Sequence, residues 1–310
     1  MASAPTPLTI VVTGSGGFLG TKLCDSPKSR GHTITTFDYT DGQNILDVAA
    51  VEKAFQDPKP DACIHLAAVA DLNFFRKDAA GCELINVQGT TNIMDACLAS
   101  GARMLFASTC CCYGNNNCHP SDETSPLAPT EPYAKSKQTS EAAITAAGLP
   151  HTSLRLATFY GPGMRPALCP AVFIEKAMKG EDIVIHGDGK QTRTFTYVED
   201  VVSGIVAVTE GEAKFSVVNI STEEVVSVLE IAAIVKGMVP EVVITHGEDR
   251  KGQIFKESIS SARLQSFGWK PQTNFVEGMA LSMANYKANN GWTTSVGVSG
   301  GDAANVETKN

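Results

Sequence analysis

Residues 8–20 read LTIVVTGSGGFLG: a β-branched run, a turn crowded with glycine, and the start of an apolar segment. Gly14, Gly17 and Gly20 stand at the spacing G-x-x-G-x-x-G. Glycine here lets the chain turn sharply, bring its backbone close to a pyrophosphate and pack helix against strand, while the helix start offers unpaired amides to an anion. Asp38 closes the next strand-like run eighteen residues past Gly20, near the spacing of the acid that holds a ribose in such folds. Its carboxylate can accept both ribose hydroxyls of NAD and would repel the 2′-phosphate of NADP, so the expected cofactor is NAD.

The same alternation continues along the chain. Strand-length runs at 8–13, 32–38, 62–68, 103–109 and 152–157 are separated by longer segments, of which 82–100 and 131–148 place apolar residues at helical steps. Strands alternating with helices mean a parallel sheet covered on both faces, and right-handed crossovers make it a doubly wound α/β (Rossmann) sheet that binds ligands beyond its carboxyl edge. The expectation is a nucleotide-binding domain over 1–165, with a returning segment near 194–220. A smaller α/β substrate-binding lobe is expected over 166–290. Residues 295–310, poor in apolar residues, read as a flexible tail. Pro27 falls inside the first helical segment, where it removes a backbone donor, so that helix is expected to kink or stop near Ser26.

Composition narrows the function. The net charge of −8, with no long lysine-arginine cluster, argues against a nucleic-acid surface. No apolar run is long enough to span a membrane, and no basic segment precedes an apolar stretch at the N-terminus as a signal peptide would require. The nine cysteines follow no disulfide spacing, which suits reduced thiols in the cytoplasm. Three of them are adjacent, in STCCCYG at 108–114. Adjacent cysteines on a strand alternate in direction and do not converge on one ion, so no metal is expected.

Tyr133 and Lys137, in YAKSK, lie four apart on one helix face. A cationic lysine stabilises tyrosinate and brings a phenol toward working pH, and such a tyrosine can take the proton of a sugar hydroxyl as hydride leaves the same carbon. A hydroxyl from STCCCYG, at the end of the fourth strand, can bond the same oxygen.

Together TGSGGFLG, Asp38, ILDV at 45–48, HLAA at 65–68, NVQGTTN at 86–92, STCCCYG, YAKSK, LRLATFYGPG at 154–163 and RTFTYVEDV at 193–201 resemble the extended short-chain dehydrogenase/reductase family, in its nucleotide-sugar epimerase/dehydratase branch. The resemblance runs from residue 8 to about 290. It implies Thr109, Tyr133 and Lys137 as the catalytic set, with Lys137 also on the nicotinamide ribose. Gly14, Gly17, Phe18, Leu19 and Gly20 would form the cofactor turn, Asp47 would hold the adenine, and Leu66, Ala67 and Ala68 would line the cofactor. Asn86 would support the site. Arg193 and Arg250 would grip the nucleotide sugar, a task suited to a forked guanidinium, with Cys111 and Thr158 also on the substrate. The helices at 82–100 and 131–147 resemble a dimerising pair, so a homodimer is expected.

The reaction is read from departures. Dehydratases of the branch carry an acidic pair where this chain has Cys110 and Cys111, and its decarboxylases carry a glutamate at the Cys111 position. Without those carboxylates the acid/base for elimination is missing, and a 4-epimerase of a UDP-hexose becomes the leading expectation. The alternatives are a 3,5-epimerase or reductase using Cys111, a net NAD(H)-dependent sugar dehydrogenase, and a non-catalytic NAD-binding regulator. Free cysteine more often fills space in a core, so Cys111 reads first as packing.

Overall fold

The structure is a computed structural model that describes residues 6–115, 118–249 and 255–292. Its strands are β1 (Thr9–Thr13), β2 (Thr33–Phe37), β3 (Ala62–His65), β4 (Arg103–Thr109), β5 (His151–Leu156), β6 (Thr158–Tyr160), β7 (Ile183–His186), β8 (Thr192–Tyr197), β9 (Val217–Ile220), β10 (Val225–Ser227) and β11 (Ile244–Gly247). The helices are α1 (Phe18–Ser29), α2 (Val48–Ala54), α3 (Leu72–Lys77), α4 (Ala79–Glu83), α5 (Gly89–Ser100), α6 (Pro132–Ala147), α7 (Cys169–Met178), α8 (Val198–Glu210), α9 (Val228–Met238), α10 (Ala262–Gln265) and α11 (Phe275–Ala288).

Six parallel strands form the main sheet in the order β2-β1-β3-β4-β5-β9. Side chains alternate across it as a period of two requires. Ile10 and Val12 enter one core with α1 and α8, while Val11 enters another with α2, α5 and α6. Both faces are therefore apolar, as a doubly wound sheet demands. The chain leaves β1 toward β2 on one side and has β3 on the other, so the crevice for a ligand opens beyond the carboxyl ends of β1 and β3.

Beyond β5 the chain builds two small sheets, β10-β8-β6 and β11-β7. They share a third core with α7, α9 and α11, centred on Tyr160, Phe195 and Phe275. Between them α8 returns to pack on α1, and β9 completes the main sheet. Phe18, at the start of α1, touches this third core and the core of α1 and α8, and stacks on Phe159, with ring centroids 5.7 Å apart.

Helix α1 does not stop at Ser26. It runs through Pro27 to Ser29, so the proline sits in the last turn, where its missing N–H deprives only the Leu23 carbonyl of a partner. The expected tail at 295–310 lies outside the described residues.

Candidate active site

The glycine turn has the shape that its spacing implied. Gly14 takes φ +71°, a left-handed value, and a Cβ there would lie 2.6 Å from the Ala67 nitrogen; a Cβ on Gly20 would strike the Gly14 carbonyl. β1, α1 and the segment after β3 can approach this closely only without those side chains. The turn delivers Phe18 and Leu19 as the first residues of α1, whose amides have no intrahelical acceptors. Leu66 is tied to β1 through its N–H to the Thr13 carbonyl at 3.0 Å, and Leu66, Ala67 and Ala68 are all half-buried.

Asp38 is buried and already engaged. Its Oδ2 accepts the Gly16 N–H at 2.9 Å, and its Oδ1 accepts the N–H and hydroxyl of Thr40 at 2.9 and 2.7 Å. These bonds aim the carboxylate at the glycine turn, and its remaining lone pairs are the ones a ribose would use. Gly16 belongs to this arrangement although it lies outside the G-x-x-G-x-x-G spacing. Asp47 is exposed and caps α2 by accepting the Ala50 N–H at 3.1 Å. The turn, the acid and the helix start fit a dinucleotide.

β4 ends at Thr109, and the three cysteines wind directly into a 3-10 turn over Cys110–Tyr113. Strand alternation stops there, and the thiols part company. Cys110 donates to the Arg155 carbonyl at 3.2 Å, and Cys112 donates to the Ala134 carbonyl at 3.4 Å, fastening the first turn of α6 to the strand end. Burial pushes the Cys112 thiol up to about 12, with Glu141 adding to the rise. Both therefore act as small buried groups. Cys111 is only half-buried. Among the described residues no set of three or more His, Cys, Asp or Glu side chains could hold a metal.

The Thr109 hydroxyl accepts the Cys111 N–H at 3.1 Å, which leaves its own hydrogen to donate. Tyr133 opens α6 just after Pro132 and lies edge-on to Phe75. Burial raises its phenol well above the ordinary value, Cys111 and Cys112 raise it further, and Arg165 opposes them. Lys137 follows one turn further along α6. Its Nζ lies 4.6 Å from the centroid of the Phe106 ring, and burial lowers its ammonium to about 8 against the pull of Cys112 and Glu141. The ammonium thus lies over a ring in the interior of β4.

Beneath Lys137 lies His65, held between the Thr13 hydroxyl at 2.6 Å and the Thr90 hydroxyl at 3.0 Å. Burial, then the nearby ammonium, drives its ring down to about 3, so it is neutral at working pH. Asn86 sits in a π-helical turn, Leu84–Gln88, that joins α4 to α5. It clamps the segment after β3 by accepting the Val69 N–H at 2.8 Å and donating to the Val69 carbonyl at 3.0 Å. It also donates to the Ser136 hydroxyl at 3.1 Å, linking that segment to α6. Thr158 and Arg193 are half-buried on paired strands, β6 and β8. Arg250 lies outside the described residues.

Two features went unread in the sequence. Glu141 accepts hydrogen bonds from the Ser108 hydroxyl and from Arg155, at 3.1 Å from Nε and 2.7 Å from Nη2; Arg155 in turn donates to the Tyr113 hydroxyl at 3.1 Å. This buried network locks α6 to β4 and β5. Glu257, eight percent exposed, bears on Cys110 and Cys111 from a distant part of the chain. The 3.6-residue period places Glu141 on the face of Lys137, but nothing local marks Glu257.

A dinucleotide turn at the switch point of a doubly wound sheet, with a hydroxyl, a phenol and an ammonium at the adjoining strand end, defines a nucleotide-dependent oxidoreductase-type site. Residues 10–221 match the model of the NAD-dependent epimerase/dehydratase family, and the chain belongs to that family. A putative UDP-glucose 4-epimerase of Methanocaldococcus jannaschii is 29% identical over 92% of this chain and 100% of its own length. A UDP-N-acetyl-alpha-D-glucosaminuronate decarboxylase of Bacillus cytotoxicus is also 29% identical, over 72% of this chain and 77% of its own length. The crystal structure of a Thermotoga maritima UDP-glucose 4-epimerase with UDP-glucose superposes with a TM-score of 0.85 at 26% identity, covering 91% of this chain and 99% of that one. The family, the NAD dependence and the Rossmann architecture follow; relatives that epimerise and relatives that decarboxylate stand side by side.

Proposed function

We propose that the chain epimerises a nucleotide sugar at C4, with a UDP-hexose as substrate, through a transient 4-keto sugar. The observation that carries this reading is the end of β4, where the Thr109 hydroxyl accepts the Cys111 amide and the Cys112 thiol ties the first turn of α6, the helix of Tyr133, to the same place. Gly14, Gly17, Phe18, Leu19, Gly20, Asp38, Asp47, Leu66, Ala67 and Ala68 would hold NAD, and Lys137 would reach its nicotinamide ribose. When bound, NAD supplies the acceptor and donor of hydride.

In this scheme Thr109 holds the C4 oxygen while Tyr133 moves its proton. The phenol is in the acid form suited to reprotonating that oxygen, and it must release its proton first when the alcohol is oxidised. Asn86, through Ser136, keeps the helix of Tyr133 in register with the segment after β3. Arg193 and Thr158, on β8 and β6, would meet the nucleotide end of the substrate. The unbridged thiols of Cys63, Cys82, Cys97, Cys110, Cys111 and Cys112 support a reducing, cytoplasmic setting. Leu84 and Leu98, 51% and 46% exposed beside α5, support a homodimer through that face.

The test is turnover of UDP-hexoses followed by NMR. The wild type interconverts C4 epimers without net change in NADH, and Tyr133→Phe loses at least about a hundredfold in kcat while still binding NAD. Wild-type turnover in that variant overturns the assignment, and stoichiometric NADH production points instead to a net dehydrogenase.

A further inference from the structure

A polar chain crosses the interior beneath the site. Thr13, His65, Thr90 and Asn86 are each at most 2% exposed. They come from four places: the end of β1, the end of β3, the first turn of α5 and the π-helical turn that precedes it. Buried polar groups are stable only where donors meet acceptors, so the direction of each bond follows from counting hydrogens.

The count has one solution. The Thr90 hydroxyl gives its hydrogen to the Asn86 carbonyl at 2.6 Å, so toward His65 it can only accept, and the 3.0 Å bond there places a hydrogen on Nε2. Nδ1 of the neutral ring is then bare and accepts the Thr13 hydroxyl at 2.6 Å. Thr13 Oγ1 keeps a lone pair for the Ala67 N–H at 3.4 Å. The other tautomer leaves the Thr13 hydrogen without an acceptor among the described residues, and turns a bare Nε2 toward an oxygen whose hydrogen is already given away. A protonated ring fails at Thr13 for the same reason.

The two ends of the chain reach the two halves of the site. On one side, Thr13 directly precedes Gly14, and the Ala67 amide belongs to the segment after β3 that is expected along the cofactor. On the other side, the Asn86 carbonyl also accepts the Ser140 hydroxyl at 3.2 Å. The Asn86 amide donates to the Ser136 hydroxyl, which passes its own hydrogen to the Tyr133 carbonyl at 2.8 Å. Ser136 and Ser140 flank Lys137 on α6. His65 also stacks on Phe106, with ring centroids 5.9 Å apart, and the same ring carries the Lys137 ammonium at 4.6 Å.

We propose that His65 is a positioning residue: its neutral imidazole, fixed as the Nε2–H tautomer, aligns the Ala67 amide on the cofactor side and, through Thr90 and Asn86, the helix that carries Tyr133 and Lys137. This rests on the reading that NAD lies along Ala67 and that the two α6 side chains act in the reaction. The ring moves no proton itself. Its two nitrogens do different work, so replacements that keep one nitrogen's role at a time separate the two halves.

Nitrogen NMR of histidine-labelled protein reads the tautomer without any sugar, with the His65 signals assigned by their loss in His65→Asn. The expected result is hydrogen on Nε2, a bare Nδ1 and no titration between about pH 5 and 9. Hydrogen on Nδ1, or titration in that range, overturns the proposal. His65→Asn keeps an acceptor for Thr13 and loses the donor to Thr90, so kcat for C4 interconversion falls about tenfold while NAD affinity stays within about twofold. Thr90→Val repeats that pattern. His65→Gln keeps a donor for Thr90 and loses the acceptor for Thr13, so NAD affinity, measured by calorimetry, falls about fivefold with a smaller change in kcat at saturating NAD. Circular dichroism checks the fold of each variant. Wild-type values in the folded variants, or equal losses of kcat and affinity in all three, overturn the positioning role. A wild type that binds NAD but interconverts no C4 epimers removes the epimerase reading, and the tautomer and the NAD affinity of His65→Gln still decide this one.

Discussion

Lys137 is where charge and burial pull in opposite directions. Burial brings its ammonium down from 10.5 to about 8, with Cys112 and Glu141 opposing the fall. The folded state therefore gives up this proton before the unfolded chain does, and between about pH 8 and 10.5 the unfolded state binds more protons. In that window the lysine's contribution to stability rises with pH. Catalysis takes the opposite course if the cation is needed on the nicotinamide ribose. The expected outcome is a fall in kcat/KM with an apparent pKa near 8, in the same range where the urea midpoint shows no loss traceable to this group. An alkaline limb displaced by more than about a unit would mean that Lys137 does not set it. The sequence showed the tyrosine and lysine on one helix face, but not the direction in which the ammonium points. That direction depends on Phe106 and His65, which arrive from β4 and β3.

At the scale of elements, the site depends on how α6 is seated. Its first turn is tied to the strand end by the Cys112 thiol, and its middle by Glu141, Arg155 and Ser108. Glu141→Gln leaves the Arg155 guanidinium buried with its carboxylate removed, and truncating one partner of such a pair costs about 3–5 kcal/mol. The measurement is the urea midpoint at constant m-value; a loss below about 1 kcal/mol would show that the network does not hold the helix. The elements themselves were largely readable. β4 spans the expected 103–109, and α6 spans all but the ends of 131–148, because apolar period and glycine punctuation are local properties. The continuation of α1 through Pro27 was not readable, because one missing donor in a last turn is outweighed by packing of the helix against α8. The π-helical turn around Asn86 was also hidden: its bonds run to Val69 and Ser136, remote in the chain.

At the scale of the whole molecule, two apolar faces matter. The main sheet is sealed on both sides, but Leu84 and Leu98 remain about half exposed on the same helical run. If that face closes a homodimer, the wild type sediments at twice the chain mass at micromolar concentration and Leu98→Glu shifts it to the monomer; a monomeric wild type would sink the proposal. The class of protein was legible before any fold was seen. A glycine turn, an acid at the next strand end and a tyrosine-lysine pair are short-range patterns, and each needs only its own strand or helix to form. Tertiary structure decided where the charges meet. Cys110 and Cys112 became packing, the Lys137 ammonium came to lie over Phe106, and Glu257 arrived on β8 from beyond β11. No local pattern encodes that meeting, because its partners come from β4, α6 and the segment beyond β11, which are far apart in the chain.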